Sequence, residues 1–234
     1  MGHDLIAPPL ALVLLACAAP PAGEGGSTRP PAGISESTVR AGGVDVHTLS
    51  AGPDDGRLVL LLHGARFRAA TWQELGTLDH LAGAGHRAVA IDLPAFGSTP
   101  ASDAEPATFL IELLDALGAR PQAPAVVVSP SMSGRFSLPL LARSPDLFAG
   151  FVALAPVGIE EHVDELEGTP VPALLFWGSE DGIVPVALAR ELEGALPESR
   201  LVIAEGAGHP AYLDQPERFH QELLELLTRA FADR

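Results

Sequence analysis

Ala125-Val126-Val127-Val128-Ser129-Pro130-Ser131-Met132-Ser133-Gly134 is the stretch whose reading decides the fold. Its β-branched apolar half has the composition of a buried strand. The run breaks at Ser-Pro-Ser-Met-Ser and continues into Phe136-Ser137-Leu138-Pro139-Leu140-Leu141, which has the apolar density of a packed helix. Strand, abrupt turn and helix with a serine at the vertex form the geometry of a nucleophile elbow. The backbones of strand and helix nearly touch there, so the vertex serine needs small residues two places before and two places after it. Ser131 has Ser129 and Ser133 in those places. Ser133 would have Arg135 and Ser129 would have Val127, both too large, so sterics select Ser131. A serine-rich strand-to-helix turn without chemistry is the plain alternative.

Working outward, Ser37 to Arg40 and Val44 to Leu49 form a hairpin pattern around Gly42-Gly43. Leu58 to Leu62, Arg87 to Leu93, Phe151 to Ala155, Ala173 to Trp177 and Leu201 to Ala204 read as further strands. Thr71 to Leu81 has helical spacing, with Trp72, Leu75, Leu78 and Leu81 on one face. Ala107 to Leu117, Val186 to Leu196 and Pro216 to Phe231 complete the helical segments. Strands alternating with helices predict an α/β fold: a mainly parallel twisted sheet with helices on both faces. Active sites in such sheets lie at the carboxyl ends of the strands.

A serine hydroxyl needs a base, and the base an orienting acid. The strand ending at Trp177 runs into Gly178-Ser179-Glu180-Asp181, which puts Asp181 in the loop where the acid belongs. The last strand leads into Glu205-Gly206-Ala207-Gly208-His209-Pro210, a Gly-rich loop able to carry His209 over the sheet edge. Ser, Asp and His therefore follow one another in the order expected after a nucleophile elbow. Asp181 could instead cap the helix near Val186, and Glu180 is a competing acid. His80, His162 and His220 fall on helical or surface stretches expected to be solvated. His47 and His86 flank strands without a Gly-rich strand-end loop. An oxyanion hole is expected from the Met132 N–H and, in the His63-Gly64-Ala65 loop, the Ala65 N–H, with His63 buttressing that loop. Arg66 and Phe67 follow and could border the acyl pocket, Arg66 by attracting an acidic substrate group or simply as a solvated side chain.

Leu-Leu-His-Gly-Ala-Arg-Phe (61–67), Ala-Val-Ala-Ile-Asp-Leu-Pro (88–94), Ser-Pro-Ser-Met-Ser-Gly (129–134) and Gly-Ala-Gly-His-Pro (206–210) together resemble the α/β-hydrolase superfamily. Within it they resemble most the α/β-hydrolase domain-containing protein 14 family, types A and B. The resemblance runs from about residue 40 onward. It implies a small cytosolic-type hydrolase of short acyl esters, with acyl transfer from acetylated amines as a related activity. It also places nucleophile, acid and base on Ser131, Asp181 and His209.

Many members of this superfamily insert a lid before the acid-bearing strand. Fewer than 20 residues separate Ala155 from Ala173, room for a loop and one short helix over Glu160 to Glu167. No separate lid domain is expected, and an open site favours small acyl groups over long lipids. A serine hydrolase with no cofactor and no metal is the leading reading; the histidines show no metal-ligand spacing. An acyltransferase using the same site and a non-catalytic binding module are the alternatives.

Leu5 to Ala16 is an apolar run too short to span a bilayer as a helix but suited to a signal-peptide core. It ends in Leu14-Leu15-Ala16-Cys17, which resembles a bacterial lipobox, although Met1-Gly2-His3-Asp4 contains no Lys or Arg. Residues 1–16 are therefore expected to be a lipoprotein signal, with Cys17 lipidated, and the Pro/Gly/Ala-rich residues 17–33 a flexible tether. Residues 34–234 form the folded domain. Export as a membrane-anchored lipoprotein follows, with a cytoplasmic location as the alternative. Cys17 is the only thiol, and the net charge is −16. That charge argues against nucleic acid and against electrostatic docking on anionic lipid, so any membrane contact runs through Cys17. The expected partner is a small acylated substrate. Sequence is silent on oligomeric state, and a monomer is the default.

Overall fold

The computed structural model describes residues 33–232; the expected signal segment, Cys17 and nearly all of the tether lie outside them. Eight strands run in the order β1 (Ser35–Ala41), β2 (Val44–Ala51), β3 (Leu58–Leu61), β4 (Arg87–Ile91), β5 (Ala125–Pro130), β6 (Phe148–Leu154), β7 (Ala173–Gly178) and β8 (Ser199–Ala204). Between and after them lie α1 (Ala69–Glu74), α2 (Thr77–Gly83), α3 (Pro106–Ala116), α4 (Gly134–Arg143), α5 (Ile159–His162), α6 (Val186–Ala195), α7 (Ala211–Asp214) and α8 (Pro216–Phe231). The strands form one sheet in the spatial order β1-β2-β4-β3-β5-β6-β7-β8. Pairing is antiparallel for β1 with β2 and β2 with β4, and parallel from β4 to β8. The hairpin turn falls on Gly42 and Gly43, whose φ values of 57° and 74° suit a two-residue turn of the left-handed kind.

The aliphatic runs are buried on both faces because helices cover both. On β3 and β5, Leu60 and Val127 pack with Phe109 and Leu113 of α3, Leu138 and Leu141 of α4, and Leu192 of α6. Their neighbours Leu61, Val126 and Val128 pack with Trp72 of α1, Leu78 of α2, and Phe219 and Leu223 of α8. Strand periodicity of two thus divides one apolar run between two cores. Between β6 and β7 stand only α5 and the 3-10 turn Asp164–Leu166, so among the described residues no separate lid domain covers the carboxyl ends of the strands.

Two expectations are corrected. The helix predicted over Thr71 to Leu81 is two helices, α1 and α2, separated at Gly76, whose φ of 77° lies outside helical space. Trp72, Leu78 and Leu81 are still buried, because the break preserves the direction of the apolar face. His220, expected to be solvated, is only 5% exposed. Its ring lies 4.2 Å from the His80 ring, and its Nε2 is 2.9 Å from Thr77 Oγ1, so it ties α8 to α2.

Burial, and after it the neighbouring His80, push the His220 pKa down to about 4. The unfolded chain therefore takes up a proton below its ordinary value of about 6.5 that the folded protein refuses until about pH 4. The stabilisation is whole above that upper value and is lost as pH falls towards the lower one. We expect about 1–3 kcal/mol to disappear across this window. Thermal unfolding between pH 7.5 and 4.5 checks it: His220→Gln should flatten the decline seen in the wild type. Parallel declines would remove His220 as the cause.

Candidate active site

Ser131 stands where β5 gives way to a 3-10 turn, Ser131–Ser133, that leads directly into α4. Its φ is 48°, a left-handed conformation that costs a non-glycine residue about 1–2 kcal/mol. The surroundings leave it no alternative. A Cβ placed on Gly134 would lie 2.3 Å from the Val157 carbonyl oxygen, so only glycine lets α4 start this close to the loop after β6. That loop also donates its Val157 N–H to the Ser131 carbonyl at 2.9 Å.

The serines flanking the vertex are buried and bonded to one another. Ser133 Oγ donates to the Pro130 carbonyl at 2.8 Å. With its proton committed, Ser133 must accept from Ser129 Oγ at 3.0 Å, and Ser129 in turn from Ser137 Oγ at 2.6 Å. The chain of hydroxyls runs in one direction and stitches β5 to α4. Ser131 takes no part in it.

Asp181 sits in the loop after β7 with its side chain 1% exposed. Its Oδ1 accepts the Ile183 and Val184 N–H groups, each at 2.8 Å. Trp177 Nε1 donates to the Val184 carbonyl at 2.9 Å, fixing the same loop from below. Asp181 Oδ2 is left facing His209 Nδ1 at 2.8 Å. With Nδ1–H donating to that oxygen, His209 Nε2 is the free nitrogen of the ring.

The loops carrying acid and imidazole are clamped together. Ser179 N–H donates to the Ala204 carbonyl at 3.0 Å and Glu180 N–H to the Ala207 carbonyl at 2.9 Å. Gly206 N–H returns a bond to Ser179 Oγ at 2.8 Å, and Gly208 N–H is held by Asp214 Oδ2 at 2.9 Å. A Cβ on Gly178 would strike the Ala207 and Gly208 carbonyls at 2.3 Å, so this contact too requires glycine. Glu180, the competing acid, is exposed and makes no bond to His209.

Ser131 and His209 open into one cleft of about 510 Å³, lined also by Gly64, Ala65, Arg66, Phe67, Ile183 and Pro210. Met132 lies beside Ser131 in the 3-10 turn but is not part of the lining. Among the described residues the Ala65 N–H, which lies outside any helix or strand, has no backbone acceptor. Ile183 and Pro210 were not foreseen from the sequence. Ile183 carried one signal, a large apolar residue between Gly182 and Val184 in the acid loop, and it is 68% exposed.

His63 lies beneath the Gly64–Phe67 loop, fully buried. Its Nδ1–H donates to the Gly64 carbonyl at 2.8 Å and its Nε2 accepts from Leu93 N–H at 2.9 Å. Burial holds its pKa below the ordinary value, against smaller raising effects from the Gly64 carbonyl and Asp92. Neutral His63 thus uses both nitrogens to fix a loop. Asp92 works similarly on the next turn: its Oδ1 accepts from Ala69 N–H and its Oδ2 from Ser98 N–H, each at 2.8 Å. Among the described residues no group of three or more His, Cys, Asp or Glu could hold a metal ion.

Known proteins share this fold. Residues 59–163 match the model of the alpha/beta hydrolase family, and residues 151–230 that of the TAP-like proteins. The human protein named "Putative protein-lysine deacylase ABHD14B" is 42% identical over 177 residues, spanning 72% of this chain and 82% of the relative. The chain belongs to the α/β-hydrolase family. This α/β-hydrolase is also 39% identical to zebrafish Protein ABHD14A over 73% of its own length and 64% of the relative's. A CIB-like hydrolase from Thermoplasma acidophilum superposes with a TM-score of 0.78 at 29% identity, over 84% of this chain and 98% of that one. The meta-cleavage product hydrolase of Pseudomonas fluorescens has a TM-score of 0.73 at 18% identity, over 84% and 98%, a likeness of fold.

Proposed function

We propose that this α/β-hydrolase is a serine hydrolase of carboxylesterase type, cleaving small acyl esters or amides through an acyl-enzyme on Ser131. The observation that carries the reading is the 2.8 Å bond from Asp181 to His209, whose ring shares a cleft with a serine in strained backbone. In this reading His209 Nε2 takes the Ser131 proton as Oγ bonds to the acyl carbon. The carbonyl oxygen, now an oxyanion, is met by the Ala65 and Met132 amides. His209 then gives its proton to the departing alcohol or amine. Water, activated by the same imidazole, releases the acid and restores Ser131. Asp181 keeps the ring in the tautomer that accepts at Nε2.

The name of the human relative supports amides of lysine among the substrates. Transfer of the acyl group to an acceptor other than water is the second reading. We further propose that the protein is exported and anchored through a lipid on Cys17; residence in the cytoplasm is the alternative.

A fluorophosphonate probe is expected to label Ser131, located by peptide mass spectrometry. The purified protein should hydrolyse C2 to C4 esters faster than C8 and longer ones, and an acetyl-lysine peptide should yield acetate. Transfer to added thiols or amines in place of acetate would select the second reading. Folded protein that neither takes the probe nor releases any acid would overturn both.

A further inference from the structure

The cleft that holds Ser131 inverts the charge of the molecule around it. The chain has 30 acidic residues against 14 basic ones, all arginine. Yet the cleft lining contains no acid, and its one permanent charge is Arg66. Arg40, Arg143 and Arg200 are engaged with carboxylates, whereas Arg66 has none within 4.0 Å among the described residues. Beyond it, Ala65, Arg66 and Phe67 also form the wall of an adjoining groove of about 400 Å³ that Arg68 and Glu74 line as well.

The position of Arg66 relative to the reaction follows from the four directions at a tetrahedral carbon. One is taken by Ser131 Oγ and a second by the oxyanion, at the Ala65 and Met132 amides. The third, the leaving group, must stay within reach of His209, which protonates it, and so lies along the Ile183, His209 and Pro210 wall. The acyl chain takes the remaining direction, which leaves it Arg66 and Phe67 of the lining once Ala65 holds the oxyanion. Phe67 is close enough to receive it: a Cβ built on Gly64 would lie 3.5 Å from Ser131 Cβ and 3.4 Å from Phe67 Cδ2. Ring and nucleophile therefore flank a single glycine, and Arg66, the residue before Phe67, lines the same cleft.

We propose that Arg66 selects acyl groups ending in a carboxylate, so that monoesters and monoamides of short dicarboxylic acids are preferred substrates. The proposal rests on the serine-hydrolase reading and adds to it the class of acyl group. A guanidinium binds a carboxylate through two parallel hydrogen bonds, a geometry that a neutral chain end cannot use. The overall negative charge does not prevent this, since screening confines exposed charges to about 8 Å at physiological salt, while Arg66 acts at contact. Phe67 supports the methylenes between the two carboxyl carbons.

Monomethyl succinate and methyl butyrate differ in carrying a carboxylate or a methyl at the chain end, and hydrolysis of both can be followed by pH-stat. The wild type should favour the succinate in kcat/KM. Arg66→Gln should lower kcat/KM for the succinate about tenfold, mainly through KM, and change that for the butyrate less than twofold; Arg66→Glu should lower the succinate value further. Arg66 is exposed, so neither change threatens the fold. An unchanged succinate-to-butyrate ratio in the variants, or an equal loss of both activities, would overturn the selection by Arg66. Failure of the wild type on both esters, with no probe labelling, would instead defeat the serine-hydrolase reading itself.

Discussion

Replacing Ser131 by alanine is expected to lower ester hydrolysis by about 10⁴-fold or more and to abolish fluorophosphonate labelling. The size of the effect follows from what remains. Amides at Ala65 and Met132 can still polarise a carbonyl and His209 can still guide a water, but no covalent intermediate can form. The loss should be purely chemical. Alanine meets the same backbone strain at φ 48° as serine does, and the hydroxyl chain through Ser137, Ser129 and Ser133 does not include Ser131. Ser133→Ala is the informative contrast. It removes the link from that chain to the Pro130 carbonyl and should cost about 1–3 kcal/mol of stability while keeping probe labelling. Circular dichroism melts with active-site labelling distinguish the two. Labelling that persists in Ser131→Ala would place the nucleophile elsewhere.

Small flanks selected Ser131 from three serines, an argument about volume. In the folded protein Ser129 and Ser133 are small and also hydrogen-bonded, and Gly134 adds a second close approach, of α4 to the loop after β6. The fold was legible because continuous aliphatic runs such as Leu58–Leu61 and Val126–Val128 have one explanation, strands covered on both faces. The break at Gly76 was not, because Trp72, Leu78 and Leu81 keep helical spacing across it; only tertiary packing shows that two short helices serve the same apolar face. His220 was hidden for a different reason. Its partners, Thr77 and His80, are about 140 residues away in the chain, and nothing local marks a histidine beside Phe219 as buried. Ile183 and Pro210 were not legible because a cleft wall is made by the relative placement of two loops. The glycine contacts at Gly178 and the bonds between Ser179, Glu180, Ala204 and Ala207 set that placement.

Asp181→Asn isolates what the carboxylate does beyond shape. The asparagine can keep its Oδ1 on the Ile183 and Val184 N–H groups, which now hold the carboxylate at 2.8 Å, so loop and stability should be preserved. The atom facing His209 then becomes an amide nitrogen, a donor. His209 Nδ1 must accept from it, which moves the ring proton to Nε2, the nitrogen that receives the Ser131 proton in the proposed mechanism. A base in the wrong tautomer cannot act, and no nearby carboxylate remains to stabilise the imidazolium. The expected outcome is a fall in kcat of about 10⁴ at neutral pH with a melting temperature close to wild type. Glu180→Gln, one residue away but exposed and unattached to His209, should leave kcat unchanged. A fall of less than tenfold in Asp181→Asn would mean that the buried carboxylate serves the loop alone. A large fall in Asp181→Asn with an unchanged melting temperature, and none in Glu180→Gln, would assign it to the imidazole, because the bonds to Ile183 and Val184 are then intact and only the contact with His209 has changed.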